Sequence, residues 1–334
     1  MHRASAVLVF LLCAAAAHAQ TAFQRGDVIA QTDRGGPPIF PEYKPVIDMS
    51  VFDRAGARKA FYESGSTIEQ FPRSHGLLVT GGLLYAAYAN QYRHPIEGFV
   101  AVSPDARTVT AEYLKEQKLL GLADLLQMRS GNLLLSDEDV YPNKFPKLVQ
   151  FTRDGKFLGA SYLPPVTLEG GAQYKGARFI ELLADQCTVA WTLGEPFRVD
   201  PRSRSRHIRA FNICTNRPLA DLFVLPDDTV GAAAIRQLPN GDFLVATFDD
   251  VRRFDRAGKQ LAVYPVPAFH LALTPDANGF WAGKDWNLQR VDFAAPDTVA
   301  AVAVVPLPGV SAMTVVDEWR AALQPVVTRR RATR

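Results

Sequence analysis

Four stretches of this chain carry side chains whose type and spacing could do chemistry. The loop ANQYRHPIEG places Tyr92, Arg93, His94 and Glu97 within six residues. A phenol, a guanidinium, an imidazole and a carboxylate so close together suit contact with a sugar or a carboxylate, and an ordinary polar loop has the same make-up. The run SDEDVYPNK groups Asp137, Glu138, Asp139 and Asn143, hard oxygen donors of the kind Ca²⁺ takes. It has neither EF-hand spacing nor the glycine that such a loop needs, so a solvated acidic loop is the alternative. Arg202, Arg204 and Arg206 alternate, with His207 and Arg209 following. On an extended segment they would share one side and could grip a phosphate or polyanion, unless the loop is simply exposed. Finally, His75 and His270 could meet Glu195, Asp249 or Asp285 and hold a metal or act as a general base, against the alternative of packing. Arg198, Lys284 and Trp286 join them as candidate ligand contacts.

No recognised catalytic pattern organises these residues. The chain contains no G-x-S-x-G, H-E-x-x-H, C-x-x-C, G-x-G-x-x-G or Walker loop. Any site must therefore be assembled from separate loops, and the elements that carry those loops decide where it lies.

Those elements are strands. Ile235 to Tyr264, IRQLPNGDFLVATFDDVRRFDRAGKQLAVY, reads as four short strands, A to D, broken by three turns. Asn240-Gly241 is a strong hairpin signal and predicts a type I′ turn between A and B. Strand B, Phe243 to Phe248, is apolar on both faces, so it needs a covering sheet on each side. One four-stranded unit cannot supply that cover, but repeated siblings can. C–D turns recur with anchors at 56, 105, 155, 215, 258 and 295, giving intervals of 49, 50, 60, 43 and 37 residues. Propeller repeats run at about 40–50 residues, so the series predicts an all-β, six-bladed β-propeller with four antiparallel strands per blade. Blade 1 lacks an inner strand of its own. The strand-like run at about 311–316 is expected to pair inside blade 1 and close the ring, which removes exposed edges. Lys115 to Leu119 could form a short helical turn between blades 2 and 3.

Strand order then sorts the loops. A–B and C–D turns fall on one face of the disc, B–C loops and D–A links on the other. The B–C loops are the long and chemically varied ones: Thr32–Lys44, Ala89–Gly98, Ser136–Lys147 and Leu193–Arg206, with Asp249-Asp250 and Lys284–Asn287. Loops on a rigid repeat scaffold carry function, so the B–C face is the expected binding surface.

The ends are of a different kind. Residues 1–19 have a basic start at His2-Arg3, an apolar stretch and Ala17-His18-Ala19 before Gln20, which reads as a secretory signal peptide cleaved after Ala19. The mature chain is then a single domain over 20–319, with 320–334 a basic, solvated tail. No other apolar run reaches transmembrane length. The 37 basic residues fall to 32 when Arg3 and the arginines at 329, 330, 331 and 334 are set aside, against 34 acidic ones. That near-neutral body gives no reason to expect nucleic acid, and a monomer is expected. Cys187 and Cys214 lie at facing strand ends, and in an exported chain they predict a disulfide.

The run LPNGDFLVATFDDVRRFDRAGKQL is similar to the blade pattern of NHL-repeat and SMP-30-like (TolB-like) six-bladed propellers, and LLADQCTVAW with IRAFNICTNRPLADL resembles a blade of bacterial secreted propellers. The resemblance covers about residues 23–319 and implies fold rather than chemistry. SMP-30-like lactonases hold a divalent cation with a Glu, an Asn and an Asp from different blades, which raises a cation such as Ca²⁺ at the channel. Blade 1 here lacks the Glu-Gly-Pro-x-Trp type of sequence that would supply the Glu. The expectation is therefore an exported propeller that binds a protein, small molecule or carbohydrate without catalysis. A metal-dependent hydrolase or lactonase is the alternative, with a quinone-dependent sugar dehydrogenase behind it.

Overall fold

Asp53-Arg54-Ala55-Gly56-Ala57 and Asp255-Arg256-Ala257-Gly258-Lys259 fold into the same turn. In each, the aspartate Oδ1 accepts the backbone N–H groups two and four residues on, at 2.8 and 2.9 Å in the first and 2.9 Å twice in the second. Each glycine takes a left-handed φ, 85° at Gly56 and 83° at Gly258. At Gly258 space forbids a side chain as well, because a Cβ would come within 2.3 Å of Phe223 Cβ on the neighbouring sheet. The Leu238–Asp242 turn corrects the type I′ expectation. Gly241 N–H donates to Leu238 O, and φ is positive at Gly241 but not at Asn240. This is a three-residue loop, a type I turn followed by a left-handed glycine, which Pro239 at its first central position favours.

A computed structural model of the chain describes residues 23–33, 47–63, 74–80, 83–88, 98–102, 109–113, 122–137, 147–167, 173–174, 177–193, 205–306 and 309–324. It is an all-β propeller. Five sheets are four-stranded antiparallel blades, and a further sheet has five strands. In chain order of their inner strands, sheet 2 begins with Ser74–Thr80, sheet 3 with Leu122–Gln127, sheet 4 with Phe179–Leu182, sheet 5 with Ile235–Gln237 and sheet 6 with His270–Leu273. Sheet 1 takes its inner strand from the far end of the chain: Val310–Val315 pairs antiparallel with Val28–Asp33, as expected for ring closure. Four strands per blade fails only at sheet 4, whose outer edge is split into Arg217–Pro218 and Phe223–Val224. Pro218 has no N–H to donate, and the outer strand breaks beside it. A two-stranded ribbon, Val166–Thr167 with Gln173–Tyr174, stands outside the repeat.

The apolar groups lie between sheets. Leu244, Ala246 and Val251 of sheet 5 pack with Leu271, Leu273 and Phe280 of sheet 6, while Ile235, Val245 and Phe254 pack toward Ile208 and Phe223 of sheet 4. Strand Phe243–Ala246 is buried on both faces for this reason. Each inner strand contacts the next: Val310–Val315 meets Ser74–Thr80, and the contacts run on through sheets 3, 4, 5 and 6 and back to Val310–Val315. They enclose a central axis.

Cys187 and Cys214 form the expected disulfide, with Cα atoms 5.2 Å apart. They lie one residue before the second strand and two after the third strand of sheet 4, and Ile213 N–H donates to Cys187 O between them. The expected tail begins too early. Arg320 to Gln324 are folded, with Ala321–Leu323 a short 3₁₀ turn and Arg320, Ala321 and Ala322 buried. Among the described residues no helix is long and apolar enough to cross a membrane. The expected signal peptide and the expected turn at Lys115–Leu119 lie outside the described residues.

Candidate functional site

The inner strands define the channel, and their registers show what each side chain faces. Counting back from the A–B hairpins, Glu181 and Arg236 hold equivalent places on adjacent strands, opposite Ala190 and Leu244. Asp124, Phe179 and His270 hold the place two residues nearer the B–C end, in sheets 3, 4 and 6. A charged residue amid apolar neighbours, as in LADLL, FIELL and AAIRQL, is the sequence signal for this layer. It was not among the expected site residues.

At the A–B end the charges form a closed lattice. Arg320 donates through Nη1 to Glu181 Oε2 at 2.6 Å and through Nη2 to Glu318 Oε2 at 2.8 Å. Arg236 donates through Nε to Glu318 Oε1 at 3.0 Å, and that oxygen also accepts Leu273 N–H. Asp124 accepts Ile180 N–H from the next sheet at 3.0 Å. Burial pushes the Asp124 and Glu181 carboxyls up, and the cations oppose it: Arg236 foremost at Asp124, Arg320 at Glu181. Burial works against the Arg320 charge, but Glu318, Glu181 and Asp124 outweigh it and hold the guanidinium above its ordinary value. All five groups are at most 9 % exposed.

Toward the B–C end the lining turns aromatic. His270 stands edge-on to Phe269 and Phe179, with centroids 5.0 and 5.6 Å away, and Phe248 is 5.5 Å from Phe269. The Arg178 guanidinium lies over Phe269 at 4.9 Å. His270, a candidate metal ligand or general base in the sequence, is buried. Burial first, then the Arg178 and Arg236 charges, take its pKa down to about 3, and its ring bonds to the Val310 backbone. A neutral imidazole so reluctant to accept a proton is ill suited to general-base work near pH 7.

The rim loops are stitched by their own residues. Lys284 Nζ donates to Phe248 O at 3.0 Å, tying the B–C turns of sheets 5 and 6 together, with exposed Asp249 next in sequence. Asp285 takes a left-handed φ of 52°, and its carbonyl accepts Val310 N–H from the closing strand. Trp286 is exposed, and its carbonyl accepts Val305 N–H. Arg252 draws together Asp250, Asp228 and Gln260. Of the alternating arginines, Arg206 and Arg209 are described, and each faces an aspartate. Arg206 pairs with Asp227, while His207 and Arg209 share Asp221 at 2.7 and 3.7 Å.

His75 falls at a register shift in strand Ser74–Thr80, between Ser74 and Gly76. Asp137 ends strand Leu133–Asp137, opposite Lys147. Tyr92, Arg93, His94, Glu97, Asp139, Glu195 and Arg198 lie outside the described residues, as does most of the SDEDVYPNK loop. Among the described residues no three His, Cys, Asp or Glu side chains are placed to hold a metal ion. The expected cation site therefore finds no ligand set there, and the buried carboxylates Glu181 and Glu318 already face guanidinium groups.

No protein-family model matches the chain. No curated protein matches it in sequence either. The NHL-repeat and SMP-30-like families are thus not confirmed. Among solved structures the chain is similar to a protein of unknown function from Bacteroides caccae, at 12% identity over 88% of this chain and 99% of that one, with a TM-score of 0.57. At that identity the likeness speaks for the fold alone: the chain is a β-propeller.

Proposed function

We propose that this chain is an exported, six-bladed propeller that binds a ligand or protein through its B–C rim and carries out no reaction there. The sixth blade is sheet 4, whose fifth strand is a fragment of a broken outer strand, and the closed circuit of inner strands favours that count. One observation carries the functional reading. The charged side chains at the A–B end of the channel are satisfied by one another, so loop chemistry is concentrated on the opposite rim. The Cys187–Cys214 disulfide favours an oxidising compartment.

The test uses the mature chain beside a variant with Tyr92, Arg93 and His94 changed to Ala. A partner captured from the exported fraction and re-bound as a purified species should be lost by the variant, with the melting temperature unchanged. Undiminished binding by the variant overturns the rim assignment. Turnover of a lactone or phosphotriester, with one metal ion per chain, would replace binding with hydrolysis.

A further inference from the structure

The segment that follows the closing strand crosses from one side of the ring to the other. Asp317 takes a left-handed φ of 55° just past the end of the closing strand. Trp319 then packs on the apolar cluster of sheets 5 and 6, and Ala322 on that of sheets 3 and 4. Gln186, in the A–B turn of sheet 4, donates through Nε2 to Ala322 O at 2.7 Å and accepts Arg129 N–H from the turn of sheet 3. The segment is thus anchored on both sides of the A–B opening, with Arg320 between the anchors.

What Arg320 meets there is a receptor made jointly by the ring, through Glu181, and by the segment's own Glu318. Glu181 and Asp124 come from inner strands, both are buried, and both have carboxyls raised by that burial. Arg236 cannot satisfy Glu181 by itself: its Nη1 stands 4.0 Å away, and its Nε is given to Glu318. The place calls for a planar cation with donors along two edges, and the Arg320 fork delivers one edge to Glu181 and another to Glu318. A lysine would bring the charge as a point and leave one carboxylate short.

We propose that the A–B end of the channel is a guanidinium-binding site which the chain's own Arg320 occupies, so that Asp317 to Gln324 form an intramolecular plug. This goes beyond the rim reading and does not depend on it. The plug makes the channel one-ended, and the ligand class of the emptied site is a small guanidinium.

Chemical rescue tests it. Arg320→Ala should lower the melting temperature by about 10 °C, the scale expected on breaking a buried pair. Methylguanidinium at low millimolar concentration should restore much of that loss, while methylammonium at equal concentration should not. Adding Glu181→Gln to Arg320→Ala should abolish the rescue. If Arg320→Ala does not fold alone, refolding with each cation gives the same comparison, and Arg320→Lys supplies a second measure, expected to melt below the wild type. An unchanged melting temperature in Arg320→Ala, equal rescue by both cations, rescue by neither, or a Lys variant as stable as the wild type would each overturn the proposal.

Discussion

The two ends of the channel are built on opposite principles. At the A–B end the buried charges Glu181, Arg236, Glu318 and Arg320 find their partners between the inner strands and the C-terminal segment, and turn is tied to turn. Arg129 reaches Ala184 O, Ala184 N–H reaches Gln237, and Arg25 reaches Pro275 O. At the B–C end the described ion pairs lie nearer the surface, as with Arg206 and Asp227 or His207 and Asp221. The difference teaches that, among the described residues, the A–B face holds the ring through buried ion pairs while the B–C face carries exposed ones. Burial explains it. A charge taken from water must be answered fully, whereas an exposed pair is nearly free to change.

The comparison breaks most visibly through the buried lattice. Glu181→Ala leaves Arg320 short of a partner and should cost about 3–5 kcal/mol in chemical denaturation. The same truncation at Asp227 on the rim should cost less than about 1 kcal/mol, and equal losses at the two places would end the distinction. Next comes the staple of sheet 4: replacing Cys187 and Cys214 by Ser should cost about 3.5 kcal/mol on the loop-entropy scale, again read by denaturant midpoint.

Acid should sharpen the contrast further. His270 has a folded pKa of about 3 against 6.5 in the unfolded chain, so between those values the unfolded state binds the extra proton. Stability therefore falls as pH drops below about 6.5, by on the order of 3 kcal/mol at pH 4 from this one group. Asp124 and Glu181 act the other way: their raised folded pKa values mean that their contribution is present at low pH and lost as pH rises. His270→Gln should flatten the acid limb of a stability–pH profile, and an unaltered limb would place the titrating group elsewhere. The smallest effect is at the rim, where Lys284→Met removes one hydrogen bond to Phe248 O and should cost about 1 kcal/mol.

Much of the fold was legible because its signals are local. Asp-Arg-Ala-Gly announces the same turn at 53–56 and 255–258, and apolar runs such as FLVA announce strands covered on both faces. The orphaned inner strand of sheet 1 and the spare strand at 310–315 completed each other by elimination. The lattice was not legible, because its partners lie far apart: Glu181 and Arg320 are 139 positions distant. A single charge in FIELL looks like a flaw in an apolar strand until the ring brings three such strands around one axis. Arg320 was misread for the opposite reason, since the arginines at 329 to 331 made the whole C-terminal stretch look uniformly basic and solvated. His270 was misjudged because position at a strand start does not reveal that aromatic rings close over it.

One hydrogen-bonded corner has a practical corollary. Gly26 N–H donates to Val316 O, and Val316 N–H donates to Asp27 O, so the start of the first strand and the end of the closing strand meet on the A–B face. A tether fused ahead of Gly26 starts from the face opposite the B–C loops. Immobilised through such a tether, the propeller would present its upper surface to solution like a plate on a stand, which is the orientation a test of the proposed rim binding requires.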